Sequence, residues 1–72
     1  MLIGKINQGR RERLMVTVRD VKGAKLIDCR VYNLLQDGEL VATPAGVSLE
    51  PEQVETVIGL LREAKQKAGE RG

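Results

Sequence analysis

The chain has 72 residues and a formal net charge of +2, with 42% hydrophobic and 31% charged residues. This balance is typical of a folded domain and excludes an intrinsically disordered chain. A single domain of this size buries only a small core, so we expect a homodimer. No apolar run is long enough to cross a bilayer and no signal-peptide pattern is present, so we expect a cytoplasmic protein without a membrane partner.

Histidine is absent and cysteine occurs once, as Cys29. Without the commonest general base and metal ligand, hydrolytic triads and zinc sites are excluded, and we expect no cofactor. The carboxylates Asp20, Asp28 and Asp37 lack a pocket motif or phosphate loop, which makes an enzyme the least favoured class. Cys29 stands among apolar residues and is predicted to be a small buried hydrophobe, with a reactive thiol or an intersubunit disulfide as the alternative.

Positive charge is concentrated in residues 1–30, which hold eight Lys or Arg against three acids. Residues 31–50 hold three acids and no base, and residues 51–72 balance four of each. An anionic partner is therefore expected to meet the N-terminal half of the chain.

The first predicted elements are a short strand over LIGKINQ and a loop over QGRRER. In the strand, Lys5 points to the face opposite Gly4. The loop carries Arg10, Arg11 and Arg13, and Gly9 favours a turn there. A solvated turn is the simpler interpretation of these arginines, and an electrostatic contribution to anion binding is the alternative.

RLMVTVRDV and KLIDCRVYN are the strongest strand patterns, since both alternate apolar and polar residues and are rich in β-branched side chains. The turn between them centres on Lys22 and Gly23, because glycine supplies the positive φ of a tight hairpin. Pairing residues whose numbers sum to 45 gives one apolar face, formed by Leu14, Val16, Val18, Ile27, Cys29 and Val31. The opposite, polar face then pairs Thr17 with Asp28, Met15 with Arg30 and Arg13 with Tyr32, with Arg19 near Leu26.

A fourth strand is predicted over GELVAT, after a turn at Asp37 and Gly38, and Pro44 and Gly46 are expected to end it. A helix follows, with Pro51 at its first position. Glu50 is the expected cap, between the hydrophobic staple of Leu49 and Val54. The apolar stripe of this helix comprises Val54, Val57, Ile58, Leu61 and Ala64.

These elements predict an α+β fold of four antiparallel strands followed by one helix. The single domain is expected to span residues 1–68, with a frayed tail at 69–72. One helix covers one sheet face only, so the polar face is expected to stay open. Leu34, Leu35, Leu40 and Leu60 fit neither face and are candidates for contact with a second copy.

From Leu2 to about Leu61 the sequence resembles the C-terminal domain of the transcriptional coactivator positive cofactor four (PC4). The matching segments are IGK, VTVRDVKG, LIDCRVY, DGEL and GVSLEPEQV. The resemblance implies a homodimer of curved sheets joined through helices, which binds single-stranded or melted duplex DNA on the sheet side. The chain carries no Ser-rich tail like that of the eukaryotic coactivators, so we expect a stand-alone bacterial or phage relative, associated with the nucleoid.

The resemblance assigns nucleic-acid contacts to Lys5, Arg19, Lys22 and Arg30. At other positions the chain departs from the family pattern. The family has an aromatic residue in place of Val21, a lysine in place of Ala24, a tryptophan in place of Asn33, and basic residues in place of Pro44 and Ala45. Base stacking on an aromatic ring contributes about 1 to 3 kcal/mol per base. The loss of the two aromatic residues is therefore expected to weaken single-strand binding.

The predicted function is sequence-independent binding of single-stranded DNA in transcription, replication or repair. RNA and the transcription machinery are further candidate partners. Arg30 pairing with Asp28, and Tyr32 packing against Arg13, are the structural alternatives to contact with phosphate and base. A protein-interaction or dimerisation module is the alternative function, because Asp20 and Asp28 would repel phosphate. The complete predicted nucleic-acid-binding set is Lys5, Arg10, Arg11, Arg13, Arg19, Lys22, Lys25, Arg30 and Tyr32.

Overall fold

A computed structural model describes residues 1–70 and contains four strands and one C-terminal α-helix. The strands pair antiparallel in chain order, so the predicted α+β fold is confirmed. They are β1 (Leu2–Asn7), β2 (Glu12–Val21), β3 (Ala24–Leu34) and β4 (Leu40–Leu49). Of the predicted tail at 69–72, residues 71 and 72 lie outside the described part of the chain.

The β2–β3 hairpin has the predicted register, with Val16 opposite Cys29 and Met15 opposite Arg30. Its two central turn residues both have positive φ, 52° at Lys22 and 83° at Gly23. This conformation matches the twist of the flanking strands, but it is unfavourable for a residue with a Cβ atom. The hairpin therefore separates the apolar and polar faces as the alternation predicts.

Strand β1 lies at one edge of the sheet and places Lys5 opposite Met15, on the polar face. Gly4 lies opposite Val16, on the apolar face, and an irregularity between Leu2 and Gly4 shifts the register. The predicted orientation of Lys5 is therefore confirmed.

Strand β4 extends beyond the predicted end at Pro44, and the prediction was wrong there. Arg30 is opposite Gly46 and Tyr32 is opposite Ala42, so β4 has two extra residues in this interval. Pro44 lies in the resulting bulge, where a missing N–H costs no ladder hydrogen bond. Thr43 closes the bulge, since its Oγ1 donates to the Val31 carbonyl at 2.7 Å and accepts from the Ala45 N–H at 3.2 Å.

The helix begins through a 3-10 turn at Pro51–Gln53 and continues as α1 (Val54–Ala68). The Gln53 side chain accepts the Glu50 N–H at 2.9 Å, which holds the chain where it leaves β4. The chain turns at Pro51 as predicted, although the regular α-helix starts three residues later. Within residues 1–70 no helix is both long enough and apolar enough to span a membrane.

The apolar face of the sheet and the apolar stripe of α1 do not close into a sealed core. They line an open groove of about 480 Å³, whose walls are Leu14, Ile27, Cys29, Gly46, Val47, Leu49, Val54, Val57, Ile58 and Leu61. Cys29 is a free thiol in this groove. It is half-buried, whereas the sequence predicted a buried residue. Met15, on the polar face, is the one buried hydrophobic residue within the described chain. In one copy of the chain, none of the residues that line this groove is fully buried.

Gly46 is predicted to be essential for the approach of β4 to β3. A Cβ atom at this position would lie 2.6 Å from the Cys29 carbonyl oxygen and 2.8 Å from the Arg30 Cα. Both are backbone atoms, so Gly46→Ala is expected to lower the free energy of unfolding by about 1 to 3 kcal/mol. Gly4→Ala is the matched control, since nothing lies within 4 Å of its Cβ position. Denaturant titrations that give equal stabilities for the two variants would contradict this account.

Candidate nucleic-acid interface

The predicted binding residues are distributed along the sheet and do not converge on one pocket. Three lie near the hairpin tip (Arg19, Lys22, Lys25), two lie at the centre (Lys5, Arg30) and four lie towards the opposite end (Arg10, Arg11, Arg13, Tyr32). The molecule is a flat slab of 44 × 35 × 18 Å. Such an arrangement suits an extended ligand better than a small molecule. Within residues 1–70 no group of three or more His, Cys, Asp or Glu could hold a metal ion.

At the hairpin end, Arg19 and Lys22 are exposed to solvent. Arg19 lies on the polar face, opposite Leu26. Lys25 lies opposite Asp20 on the side of the apolar face, and its Nζ is 2.8 Å from the Asp20 Oδ2. Both partners of this ion pair are exposed, so it contributes little to stability. It does, however, neutralise the Asp20 carboxylate locally.

At the centre of the polar face, Asp28 is almost completely buried, at 2% exposure. Arg30 donates to both carboxylate oxygens, from Nε to Oδ2 and from Nη2 to Oδ1, each at 3.1 Å. Ser48 on β4 donates its hydroxyl to the Asp28 Oδ1 at 2.8 Å. The carboxylate is therefore satisfied by a bidentate charged partner and a hydroxyl, as a buried acid requires.

Arg30 is held from a third direction, because its Nη1 donates to the Thr43 carbonyl in the β4 bulge at 2.9 Å. The side chain of Arg30 retains 20% exposure. Of the two alternatives left open by the sequence, pairing with Asp28 is the arrangement present in the structure. Contact between Arg30 and phosphate stays a prediction, and it would have to use the exposed edge of a guanidinium already fixed in place.

The electrostatics of Asp28 follow from these contacts. The hydrogen bonds from Arg30 lower the pKa of the carboxyl, burial opposes them by raising it, and the Ser48 hydroxyl and the charges of Arg30 and Arg19 lower it further. The resulting pKa of Asp28 lies below its ordinary value of 3.8. The same hydrogen-bonded pair raises the pKa of Arg30. Asp28 is therefore ionised and compensated at neutral pH.

Tyr32 and Arg13 are cross-strand neighbours on the polar face, as predicted. Tyr32 is half-buried. Arg13 reaches back over the β1–β2 turn, where its Nη1 donates to the carbonyls of Glu12 at 2.9 Å and Gly9 at 3.5 Å. The two other turn arginines, Arg10 and Arg11, are exposed and line a hollow at this end of the sheet.

Two residues that the sequence analysis did not select, Thr43 and Ser48, complete the central network. Both lie beyond or at the predicted end of the fourth strand, and the extension of β4 through Pro44 brings Ser48 opposite Asp28. Continuing the strand with the same parity past the proline is the signal that could have identified Ser48.

Asp28→Asn is predicted to destabilise the protein at neutral pH by about 1.5 to 3 kcal/mol, because it replaces a charged acceptor of Arg30 by a neutral one. The folded-state pKa of Asp28 is depressed, so its stabilising contribution is complete above the unfolded value of 3.8 and is lost as pH falls through the lower folded value. The stability gap between wild type and variant should therefore shrink in acid.

Denaturant titrations of both proteins between about pH 2 and pH 7 measure this gap. Asp20→Asn is the control, because the Asp20 carboxylate belongs to an exposed pair. A gap for Asp28→Asn that stays constant down to the lowest pH would show that the depressed pKa is assigned to the wrong group.

Comparison with known proteins places this geometry in a family. Two crystal structures of a PC4 homologue from Burkholderia pseudomallei K96243 are similar to this chain, each with a TM-score of 0.86 and 28% sequence identity. The orthorhombic form is matched over 90% of this chain and 88% of that chain, and the tetragonal form over 90% and 96%. A family model described as Transcriptional Coactivator p15 (PC4) matches residues 9–60. Since this match spans well over half of the sequence, the chain belongs to the PC4 family.

Proposed function

We propose that the chain is a sequence-independent single-stranded DNA-binding protein that acts in transcription, replication or repair in the bacterial cytoplasm. Membership of a nucleic-acid-binding, non-enzymatic family supports this function. The observation that carries the proposal is the exposed positive charge of Lys5 and Arg19 on the polar face and of Lys22 at the hairpin tip, none of which has an ion-pair partner among residues 1–70. These charges are available to a sugar-phosphate chain.

The local pairing of Asp20 and Asp28 also favours nucleic-acid binding. A protein-interaction module is favoured only if these carboxylates are free to repel phosphate, and Asp20 lies on the side of the apolar face. Asp20 is paired with Lys25 and Asp28 with Arg30. Each acid therefore has its charge offset locally, and the unpaired cations determine the potential that an approaching strand experiences.

Binding would depend on electrostatics more than on stacking. Tyr32 is the one aromatic residue in the sequence, so the sheet offers at most one aromatic platform. Cations that track phosphates release counterions, which makes affinity fall as salt rises and leaves it insensitive to sequence. We infer a binder of moderate affinity whose affinity falls steeply with salt concentration.

The functional unit is proposed to be a homodimer, with a second copy covering the apolar groove. The groove is lined by the helix stripe and by the apolar face of the sheet, and its leucine Leu61 is 63% exposed in the single chain. Association through these surfaces would supply the core that one copy lacks. It would leave the polar faces of both copies outside the interface.

Binding is tested by fluorescence anisotropy with a labelled oligonucleotide of about 20 nucleotides at two salt concentrations. Arg19→Ala and Lys22→Asn are each expected to weaken binding several-fold, and each should reduce the slope of log K against log salt by about 0.7 if one phosphate contact is lost. Asparagine tolerates the positive φ at position 22, so the hairpin should be preserved.

Arg62→Ala, which removes a cation from the exposed surface of α1, is the control and should bind like wild type. If the wild-type protein fails to bind the oligonucleotide at low salt, nucleic-acid binding is excluded and a protein-interaction module becomes the better explanation.

The dimer is tested by a pair of adjacent substitutions on α1. Leu61→Lys introduces a charge into the groove and is expected to give monomers of reduced stability. Leu60→Lys is the matched control. The sequence made Leu60 a candidate for contact with a second copy, but its side chain is 60% exposed and does not line the groove. Sedimentation equilibrium should find a dimer for wild type and Leu60→Lys only. Monomeric wild type, or a dimer that is broken by the Leu60 change alone, would refute an interface in the groove.

A further inference from the structure

At the end of the sheet away from the hairpin tip, backbone hydrogen bonds close each of the two turns and join the first turn to β3. The Leu34 N–H donates to the Arg11 carbonyl at 2.8 Å, which joins the β1–β2 turn to the end of β3. The Gln8 N–H donates to the Glu12 carbonyl at 3.1 Å, and the Leu35 N–H donates to the Glu39 carbonyl at 2.8 Å. The relative position of the turns is therefore fixed by the sheet.

Between these turns lies a hollow of about 750 Å³. Its walls are Arg10 and Arg11 on one side and Leu34, Leu35, Gln36 and Gly38 on the other. This volume falls within the range of sites that hold small organic molecules. Within the described residues neither arginine forms an ion pair. Asp37 and Glu39 belong to the neighbouring turn but do not line the hollow, and the Asp37 carboxylate is occupied by the Glu39 N–H at 2.9 Å.

One residue of the hollow, Leu34, belongs to the polar face. Leu34 has the same parity along β3 as Arg30 and Tyr32, and the register with β4 places Tyr32 opposite Ala42 and Leu34 opposite Leu40. Side chains of one parity project from one face of a sheet. A strand of nucleic acid that follows the polar face past Tyr32 would therefore reach Leu34 and enter the hollow.

We propose that this hollow is a seat for one nucleotide at the end of the bound single strand, which lengthens the binding footprint beyond the sheet. The guanidinium groups of Arg10 and Arg11 would contact its phosphate, and the apolar surfaces of Leu34 and Leu35 would contact its base. Planar guanidinium groups hydrogen-bond phosphate bidentately and also stack on bases. Contacts in the seat would therefore offset part of the base stacking that is lost where Val21 and Asn33 replace aromatic residues. This inference rests on the proposed single-strand binding, and it assigns an additional subsite to it.

The test compares oligonucleotides of about 6 and about 20 nucleotides in binding to wild type and to the double variant Arg10→Ala, Arg11→Ala. The long strand can cover the polar face and the hollow together. We therefore expect the double variant to lose about tenfold in affinity for the 20-mer and much less for the 6-mer. The matched control is Arg62→Ala, Lys65→Ala, which removes the same charge from exposed positions on α1. Circular dichroism of each variant checks the fold.

Two further variants separate a built seat from diffuse attraction. Leu35→Ala is expected to weaken binding of the 20-mer while leaving the charge unchanged. Arg10→Lys, Arg11→Lys keeps the charge but lacks the planar group, and it should also weaken binding. Full wild-type affinity in the lysine variant, or equal losses in the alanine variant and its helix control, would overturn the seat. If wild type binds neither oligonucleotide, the proposed function itself fails, and that result is distinct from failure of the seat alone.

Discussion

The ion pair between Asp28 and Arg30 is the interaction on which the arrangement of the polar face depends. It buries a carboxylate at the centre of the face and fixes a guanidinium by bidentate contact with Asp28 and by the Thr43 carbonyl. Ser48 adds a contact from β4. The network therefore connects β3 to β4 within the bulge, at Thr43, and beyond it, at Ser48. Removing one member would leave a buried charge or donor unsatisfied, which costs more than the pair itself contributes.

The chain has an unusual distribution of burial for a small domain. The most buried residues, Asp28 and Met15, lie on the polar face, whereas the apolar face and the helix stripe line an open groove. A polar network can give one surface a defined shape, but it does not replace the burial of apolar area as a source of stability. The proposed homodimer would couple folding to association, so that measured stability would depend on protein concentration.

The sequence predicted the β2–β3 register in full, because strict alternation around Lys22 and Gly23 leaves one pairing that gathers the apolar residues on one face. It misplaced the end of β4, because Pro44 is normally a strand breaker and the bulge that accommodates it depends on tertiary contacts of Thr43. The sequence left open whether Arg30 pairs with Asp28 or contacts phosphate, since alternation assigns a side chain to a face but does not specify its hydrogen bonds. The hollow was not predictable, because Arg11 and Leu34 are brought together only by the sheet.

The outer strand β1 has a consequence for the behaviour of the protein at high concentration. Leu2, Ile3 and Ile6 are exposed on it, and a regular edge strand with such residues would offer a template for pairing with further chains. The break in register between Leu2 and Gly4 interrupts that template, and Lys5 adds a charge next to the break. An irregular, charged edge pairs poorly with a further strand, so Gly4 and Lys5 are expected to disfavour fibril-like growth.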